Sequence, residues 1–289
     1  MIEHLHFYYS NDLHSHFDYW PNIVHYFKQR KQHHLDSNEE SWRIDNGDHV
    51  DRYHPIAEAF RGKANVDLLN AAEFDFATIG NNEGITLEHN DLYHLYDHAN
   101  FQITCGNLSP INKEKPFWLK EGLSLVTKHN LRVKLIGLTA PFRAFYQPLG
   151  WDIDSPPYDY LSRHITELKK DADVVILLSH LGLNEDQIIA EKYPEIDIII
   201  GGHTHHLFKN GEFINDTLLT AAGKHGKFVG EIHIDWDHSL NKVVNKQAYT
   251  VETAYLEEDQ STKKRLKQCI NRQMIFSIKE LHMWRIAWM

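Results

Sequence analysis

Six apolar segments along the chain have the length and composition of β-strands, and each runs into a polar or glycine-containing turn. They cover residues 2–10, 41–48, 74–81, 131–139, 172–180 and 196–203. The last two, ADVVILLSH and IDIIIGGH, are nearly continuous Val, Ile and Leu, which is typical of strands buried on both faces. We therefore expect a sheet that is covered on both sides.

Helical patterns separate these strands, at residues 19–34, 62–73, 88–99, 158–171 and 184–193. Because strand and helix alternate, the chain is predicted to form a layered α/β fold. After about residue 212 the segments become short and typical of hairpins at the far end of a sheet. From Glu257 onward the sequence is charged and then amphipathic, and Trp284 and Trp288 near its end predict burial of a terminal helix against another surface.

Composition narrows the classes of protein without identifying one. The 289 residues are 42% hydrophobic and 24% charged, as in ordinary globular proteins. A formal net charge of -10 argues against a protein that binds the phosphate backbone of nucleic acids through clustered cations. Two cysteines provide neither a disulfide framework nor a cysteine metal cluster, and the N-terminus has no basic, apolar leader, so we expect a cytoplasmic protein with no membrane partner.

Histidine is abundant, with 22 residues. Most need no function, and His33, His34, His94 and His98 are interpreted as scattered polar surface residues. A functional interpretation requires particular histidines at strand ends beside acids.

Such residues follow five of the predicted strands, where ligands of α/β sheets usually bind. They lie in the segments NDLHS, NGDHV, GNNE, LSHLG and GGHTHH, which contain Asp12, His14, Asp48, Asn81, His180, His203 and His205. Each segment alone is a weak signal, since Gly-Asp is more often a turn and a lone histidine is more often structural. Their common position at strand ends makes coincidence the poorer explanation.

This set of side chains suits a pair of divalent transition metals. Imidazoles and carboxylates favour Mn, Zn, Fe or Ni over Ca or Mg. A carboxylate that bridges two such ions about 3.5–4 Å apart is typical of centres that hydrolyse phosphoesters. The sequence therefore predicts a phosphorylated small molecule as substrate.

The order of these five segments resembles the calcineurin-like metallophosphoesterases, and more closely their 5'-nucleotidase branch. The resemblance covers roughly residues 1–250 and implies a four-layer α/β/β/α sandwich of two mixed β-sheets flanked by helices. It also implies that Asp12, His14 and His205 hold one metal, that Asn81, His180 and His203 hold the other, and that Asp48 bridges both. A nucleotide is then the expected substrate.

One departure from the family pattern lies in the segment GNNEG. The family's third motif usually has a histidine where this chain has Asn82, and that histidine contacts the phosphate and helps the leaving group depart. Asparagine can hydrogen-bond a phosphate oxygen but cannot supply a proton at neutral pH. We expect Asn82 to contact phosphate, Gly80 to end the strand in a tight turn and Glu83 to act as a structural hydrogen-bond acceptor.

A second departure is length, since a C-terminal domain follows the metal domain in the 5'-nucleotidases. Residues 251–289 are predicted to be a helical tail, either the start of a connection to such a domain or a helix that packs back. Without that domain and with Asn82, an alternative to the enzyme is a metal-containing, catalytically weak binding or regulatory protein. Asp45 and His225 are further candidates, for orienting a ligand and for lining the substrate cleft.

Overall fold

Alternating apolar and polar segments fold into two stacked β-sheets with helices on their outer faces. The computed structural model describes residues 1–52 and 54–287, with side chains described as far as residue 273. Within these residues the strands are β1 (Ile2–Ser10), β2 (Glu40–Asp45), β3 (Phe76–Thr78), β4 (Gln102–Thr104), β5 (Leu108–Pro110), β6 (Leu119–Lys120), β7 (Leu123–Val126), β8 (Arg132–Thr139), β9 (Trp151–Ile153), β10 (Val174–His180), β11 (Ile198–Ile200), β12 (Glu212–Ile214), β13 (Thr217–Thr220), β14 (Phe228–Asp237) and β15 (Lys242–Glu252).

The helices surround these strands. They are α1 (Trp20–Asp36), α2 (Pro55–Ala59), α3 (Lys63–Ala71), α4 (Asn81–Thr86), α5 (His89–Tyr93), α6 (Arg143–Tyr146), α7 (Asp159–Lys170), α8 (Leu183–Lys192) and α9 (Gln260–Ala287) in the described part of the chain. Four of the five predicted helices agree with the sequence pattern to within two residues at each end. The fifth, predicted over 88–99, forms only the short helix α5, which ends at Tyr93. Leu95 and Tyr96, which follow it, are buried but lie in turns.

Both large sheets are mixed. The first has seven strands in the order β15-β14-β1-β2-β3-β4-β6, and the second has six in the order β12-β13-β11-β10-β8-β7. In the first, β1 to β4 and β6 run parallel, and β14 is antiparallel to both of its neighbours, β1 and β15. In the second, β8, β10, β11 and β13 are parallel. The predicted layered α/β fold is confirmed.

The period-two pattern of β1 decides how the layers pack. Leu5, Phe7 and Tyr9 point into a core that both sheets share, together with Ile176 and Ile200 of the second sheet. Tyr8 points the other way, into the core beneath the helices that cover the first sheet. A third core lies between the second sheet and α7 and α8, which completes the four layers.

The tail begins by packing on the domain. Leu266 of α9 is buried in the same core as Tyr8 and Trp20, and Asp259 just before the helix pairs with Lys28 of α1 at 2.9 Å. The first turns of α9 therefore lie against the helical layer. The predicted burial of Trp284 and Trp288 concerns side chains outside the described residues, and the domain boundary near residue 250 stays a prediction.

Candidate metal centre

The carboxyl ends of the central strands of both sheets meet at one edge of the sandwich. Asp12 and His14 follow β1, Asp48 follows β2, and Asn81 begins α4 after β3. His180 ends β10, and His203 and His205 follow β11. All seven predicted ligands therefore lie at or after the ends of five strands at a single edge, and each of these strands is parallel to a neighbour in its own sheet.

Asn46 joins the two sheets at this point. Its Nδ2 donates hydrogen bonds to the carbonyl oxygens of Ser179 and Ile200, at 3.0 and 2.9 Å. These carbonyls lie next to the loops that hold His180 and His203, so one buried amide fixes the histidines of the second sheet relative to Asp48 of the first. Asn46 was not among the predicted site residues, although it begins the segment NGDHV, two residues before Asp48.

Three of the predicted ligands form one group. Nε2 of His14 lies 3.0 Å from Nε2 of His205, and these two atoms lie 3.6 and 3.5 Å from Oδ1 of Asp12. Donor atoms of a tetrahedral shell with bonds of about 2.0–2.2 Å are separated by about 3.3–3.5 Å. The three atoms therefore already have nearly the spacing that one small divalent ion requires.

A second group forms beside the first. Nε2 of His180 is fully buried and, among the described residues, has no hydrogen-bond partner, while Oδ2 of Asp48 lies 3.2 Å away. Nδ1 of His203 lies 2.7 Å from Oδ1 of Asn81. One ligand atom each of Asp48, His180 and His203 fall within 4.8 Å of one another, as do those of Asp12, His14 and His205.

Asp48 lies between the two groups. Its Oδ2 is 3.7 Å from Nε2 of His14 and 3.2 Å from Nε2 of His180, so one carboxylate faces histidines of both. Its Oδ1 accepts a hydrogen bond from the backbone N–H of Asn82 at 2.7 Å, which fixes the orientation of the carboxylate. This is the placement that a bridging ligand requires.

The electrostatics of the site favour positive charge. Burial alone would lower the pKa of His180, but the carboxylates of Asp48 and Asp12 raise it to about 10. Burial would also lower the pKa of His14, but the carboxylates of Asp12, Asp51 and Asp48 raise it to about 9. A site that stabilises two imidazolium ions so strongly is suited to divalent cations, since these supply the same charge.

The backbone at the site is held in unusual conformations. Positive φ angles occur at Asp12, His14, Asp48, His203 and His205, with values from 50° to 69°. Such conformations cost roughly 1–3 kcal/mol each for non-glycine residues and persist where the surrounding structure enforces them. Strain at five of the seven predicted ligands is typical of a functional site.

Two glycines allow the loops to come close. A Cβ at Gly80 would lie 2.1 Å from Oδ1 of Asp48, and one at Gly202 would lie 2.9 Å from Nδ1 of His180. Gly80 lies between the end of β3 and the start of α4, and its φ of -86° is open to any residue, so close approach is the reason for glycine there.

Glu83 is confirmed as a structural hydrogen-bond acceptor. Its buried carboxylate accepts from the backbone N–H groups of Asp48, Val50 and Gly80 at 2.8–3.0 Å. Burial and the nearby charge of Asp48 raise its pKa to about 7. Glu83 therefore ties the loop after β2 to the start of α4.

Other candidates have smaller or different roles. Asp45 accepts from Ser10 Oγ at 2.8 Å and from the backbone of Gly47, so it organises the loops and does not touch a ligand side chain. His225 stacks on His16 at 3.8 Å, with its ring 5.8 Å from that of His14, so it borders the centre. Both histidines are half-buried. His16 was not predicted as a site residue, because it lies six residues after the end of β1 at Ser10.

Asp51 was also missed. Its Oδ2 lies 3.0 Å from Nδ1 of His14, where it accepts the ring proton and leaves Nε2 free to face Asp12 and His205. The carboxylate thereby selects the tautomer of His14 that a metal needs. Its position three residues after Asp48 was the only available signal.

Comparison with known proteins decides the family. A sequence model of the calcineurin-like phosphoesterases matches residues 5–207, which includes all seven predicted ligands. The chain belongs to this family. Calcineurin-like phosphoesterases are metal-dependent phosphoester hydrolases, and the predicted four-layer fold and family resemblance are confirmed.

Individual relatives agree with the match to this phosphoesterase family. The chain is 43% identical over 252 residues to the uncharacterized metallophosphoesterase YunD of Bacillus subtilis, covering 87% of this chain and 54% of that protein. It is 30% identical over 203 residues to a 2',3'-cyclic-nucleotide 2'-phosphodiesterase/3'-nucleotidase of Haemophilus influenzae, covering 59% of this chain and 30% of the relative. The chain thus spans about half or less of the length of these relatives.

Solved structures show the same fold. The 5'-nucleotidase precursor of Thermus thermophilus superimposes with a TM-score of 0.78 at 19% identity, over 94% of this chain and 59% of that one. No helix in the described part of this phosphoesterase is long and apolar enough to cross a membrane.

The departure of this phosphoesterase from the family pattern is visible in the site. Nδ2 of Asn82 lies 3.2 Å from Oδ2 of Asp48 and 2.8 Å from Nδ1 of His14. Asn82 is half-exposed. Asn82, which is predicted to stand where the family usually has a histidine, has no acid-base chemistry at neutral pH.

Proposed function

We propose that the chain is a dinuclear metal-dependent phosphohydrolase that acts on nucleotides or nucleotide derivatives. The observation that carries this proposal is the convergence of two ligand groups on Asp48, whose Oδ2 lies within 3.7 Å of a histidine nitrogen from each. In this proposal Asp12, His14 and His205 hold one ion, Asn81, His180 and His203 hold the other, and Asp48 contacts both.

The donor set fits Mn, Zn, Fe or Ni ions, because imidazole nitrogens and carboxylate or amide oxygens surround the site without any cysteine. When bound, such a pair lowers the pKa of a water and neutralises charge on phosphate oxygens. The side chains of the site orient the phosphate between the two ligand groups.

Asn82 is assigned to the substrate. Its half-exposed amide lies beside Asp48 and His14 and can donate a hydrogen bond to a phosphate oxygen. Since an amide supplies no proton at neutral pH, the departing oxygen gains nothing from this residue. We infer a preference for good leaving groups, such as phosphoanhydrides and aryl phosphates, over alkyl phosphomonoesters.

An exposed aromatic residue supports a nucleoside as the leaving portion. Phe142, which is 37% exposed, packs edge-on against His203 with ring centroids 5.5 Å apart. Phe145 lies next to it and is 61% exposed. A base or other planar group attached to the phosphate would find an aromatic surface at this side of the centre.

The test is hydrolysis by tag-free, manganese-loaded protein of a panel containing nucleoside mono- and diphosphates, a 2',3'-cyclic nucleotide, a nucleotide sugar and an aryl phosphate. We expect turnover of at least one nucleotide and its loss in Asp48→Asn. Asp216→Asn, at an exposed hairpin position, is the matched control and should keep full activity. Metal binding without turnover of any member would support the alternative of a catalytically weak binding protein.

A further inference from the structure

A separate histidine cluster lies on the outer face of the seven-stranded sheet, beneath the C-terminal end of α1. His6 comes from the middle of β1, His34 from the last turn of α1 and Glu39 from the loop before β2. His34 was interpreted from sequence as a surface residue, which is wrong, since only 1% of it is exposed. The neighbouring His33 is exposed as expected.

The three side chains converge on one point. Nε2 of His6 and Nδ1 of His34 lie 2.9 and 3.0 Å from the same oxygen, Oε2 of Glu39. Their ligand atoms all lie within 4.8 Å of one another, as in the two groups of the catalytic centre. The four strand steps from His6 to Ser10, at the end of β1, place this cluster about 13 Å along the strand from the loop that carries Asp12.

Hydrogen bonds around His6 determine which of its nitrogens carries a proton. Tyr249 donates its hydroxyl proton to Glu231 at 2.7 Å, so it accepts from Nε2–H of His233 at 2.9 Å. In the His233 tautomer that carries its proton on Nε2, the lone pair of Nδ1 faces Nδ1 of His6 at 2.9 Å. With that tautomer His6 donates from Nδ1, and the lone pair of its Nε2 points at the carboxylate of Glu39.

Charge states agree with this arrangement. Burial, with His34 and His233 nearby, lowers the pKa of His6 to about 4, and burial also lowers the pKa of His34. Although partly buried, Glu39 has a lowered pKa because both histidines interact with it. Neutral imidazoles and an ionised carboxylate are the forms that bind metals.

We propose that His6, His34 and Glu39 bind one divalent transition-metal ion, such as Zn²⁺, at a site independent of the catalytic centre. An ion between Nε2 of His6 and Oε2 of Glu39 replaces a contact between two lone pairs with two bonds. The two nitrogen–oxygen distances must open by a few tenths of an ångström to reach the spacing of about 3.3–3.5 Å in a tetrahedral shell. The rings of His6 and His34, which stack 3.8 Å apart at 18°, must also tilt so that both lone pairs point at the ion. Tyr8, whose hydroxyl lies 2.7 Å from Nε2 of His34, accepts the proton of that nitrogen when Nδ1 binds the ion.

The site is open to exchange with solvent. Glu39 is 29% exposed on its side chain, and a shallow cavity of about 390 Å³ lies over Glu39, His6 and His233. Two histidines and one glutamate leave a fourth position on this open side for water or another ligand.

The test is zinc binding to tag-free, chelator-stripped protein, measured by calorimetry and by elemental analysis after gel filtration. We expect Glu39→Gln and His34→Gln to bind one zinc ion per chain fewer than wild type, with unchanged phosphate-ester hydrolysis. His33→Gln, one residue away but exposed, is the matched control and should bind as wild type does. Asp48→Asn should keep this ion, so failure at the catalytic centre does not affect the result.

Equal zinc content in wild type, Glu39→Gln and His33→Gln would overturn the proposal. Circular dichroism and thermal melting of each variant verify the fold. If the buried His34→Gln variant does not fold, the partly exposed Glu39→Gln variant decides the outcome alone.

Discussion

At the scale of single residues, the site is built from side chains whose backbone is held in a costly conformation. Asp12, His14, Asp48, His203 and His205 all have positive φ, and the loops that hold them are fixed by buried acceptors such as Glu83. Sequence patterns located these residues because each follows a strand. Asp51 and His34 could not be found in this way, because their roles depend on contacts with residues distant in sequence.

Asn82 offers the most informative substitution. Asn82→His places a group that can donate a proton beside Asp48 and His14, where the half-exposed side chain has room. General acid assistance typically contributes about 10²–10⁴ in rate, so we expect kcat to rise at least tenfold for a nucleoside monophosphate. The gain should be much smaller for an aryl phosphate, whose leaving group needs no proton.

Steady-state rates on both substrates measure this effect, with Asn82→Ala as the control that removes the amide without adding an acid. An unchanged or lower rate for the monophosphate in Asn82→His would refute the account of the missing acid.

Phe142 tests the assignment of a nucleotide substrate. Phe142→Ala removes an exposed ring that packs on His203, and we expect KM for the preferred nucleotide to rise about three- to tenfold, given a stacking contribution of roughly 0.5–1.5 kcal/mol. The kcat value should change little, since the ring lies outside the ligand groups. An unchanged KM would show that the leaving portion does not contact this surface.

At the scale of elements, the strand ends explain why the site could be predicted. Parallel strands of a sheet present their carboxyl ends at one edge, so the α/β pattern predicts that residues 12, 48 and 81 converge in the first sheet and residues 180 and 203 in the second. The predicted strands 74–81 and 196–203 proved shorter, with only Phe76–Thr78 and Ile198–Ile200 in the ladders. The remaining residues leave the sheet in order to approach the site, a change that periodicity does not reveal.

Close approach of the loops after β2 and β3 can be tested at Gly80. In Gly80→Ala the new methyl group would lie 2.1–2.2 Å from the backbone N and Oδ1 of Asp48, so the loop must shift. We expect a loss of about 1–3 kcal/mol in the free energy of unfolding, together with weaker manganese binding.

Denaturant unfolding and metal titration measure the two effects. Gly122→Ala is the matched control, because its nearest neighbour is the flexible end of Lys134 at 3.0 Å. A Gly80→Ala variant with wild-type stability and affinity would contradict the packing argument.

At the scale of the whole molecule, the centre lies where the two sheets are joined. Asn46 spans from the first sheet to two strands of the second, and the candidate ligands come from both. Ions held there would stabilise the folded state over the unfolded chain. The chain spans 54% of the length of the YunD metallophosphoesterase, to which it is 43% identical.

Metal removal should therefore lower thermal stability. At a metal concentration about 100 times Kd, binding of one ion contributes roughly 2.7 kcal/mol, which corresponds to about 4–5 °C in Tm for a chain of 289 residues. Calorimetric scans before and after chelation measure the shift, and Asp48→Asn should show a smaller one. An identical Tm with and without manganese would contradict a centre that ties the sheets together.

The central claim is that two ions lie on either side of Asp48. Anomalous diffraction at the manganese edge from manganese-soaked crystals tests it most directly. The account predicts two peaks about 3.5–4 Å apart, one within bonding distance of Asp12, His14 and His205 and the other of Asn81, His180 and His203. A single peak, or peaks that do not both contact Asp48, would contradict it.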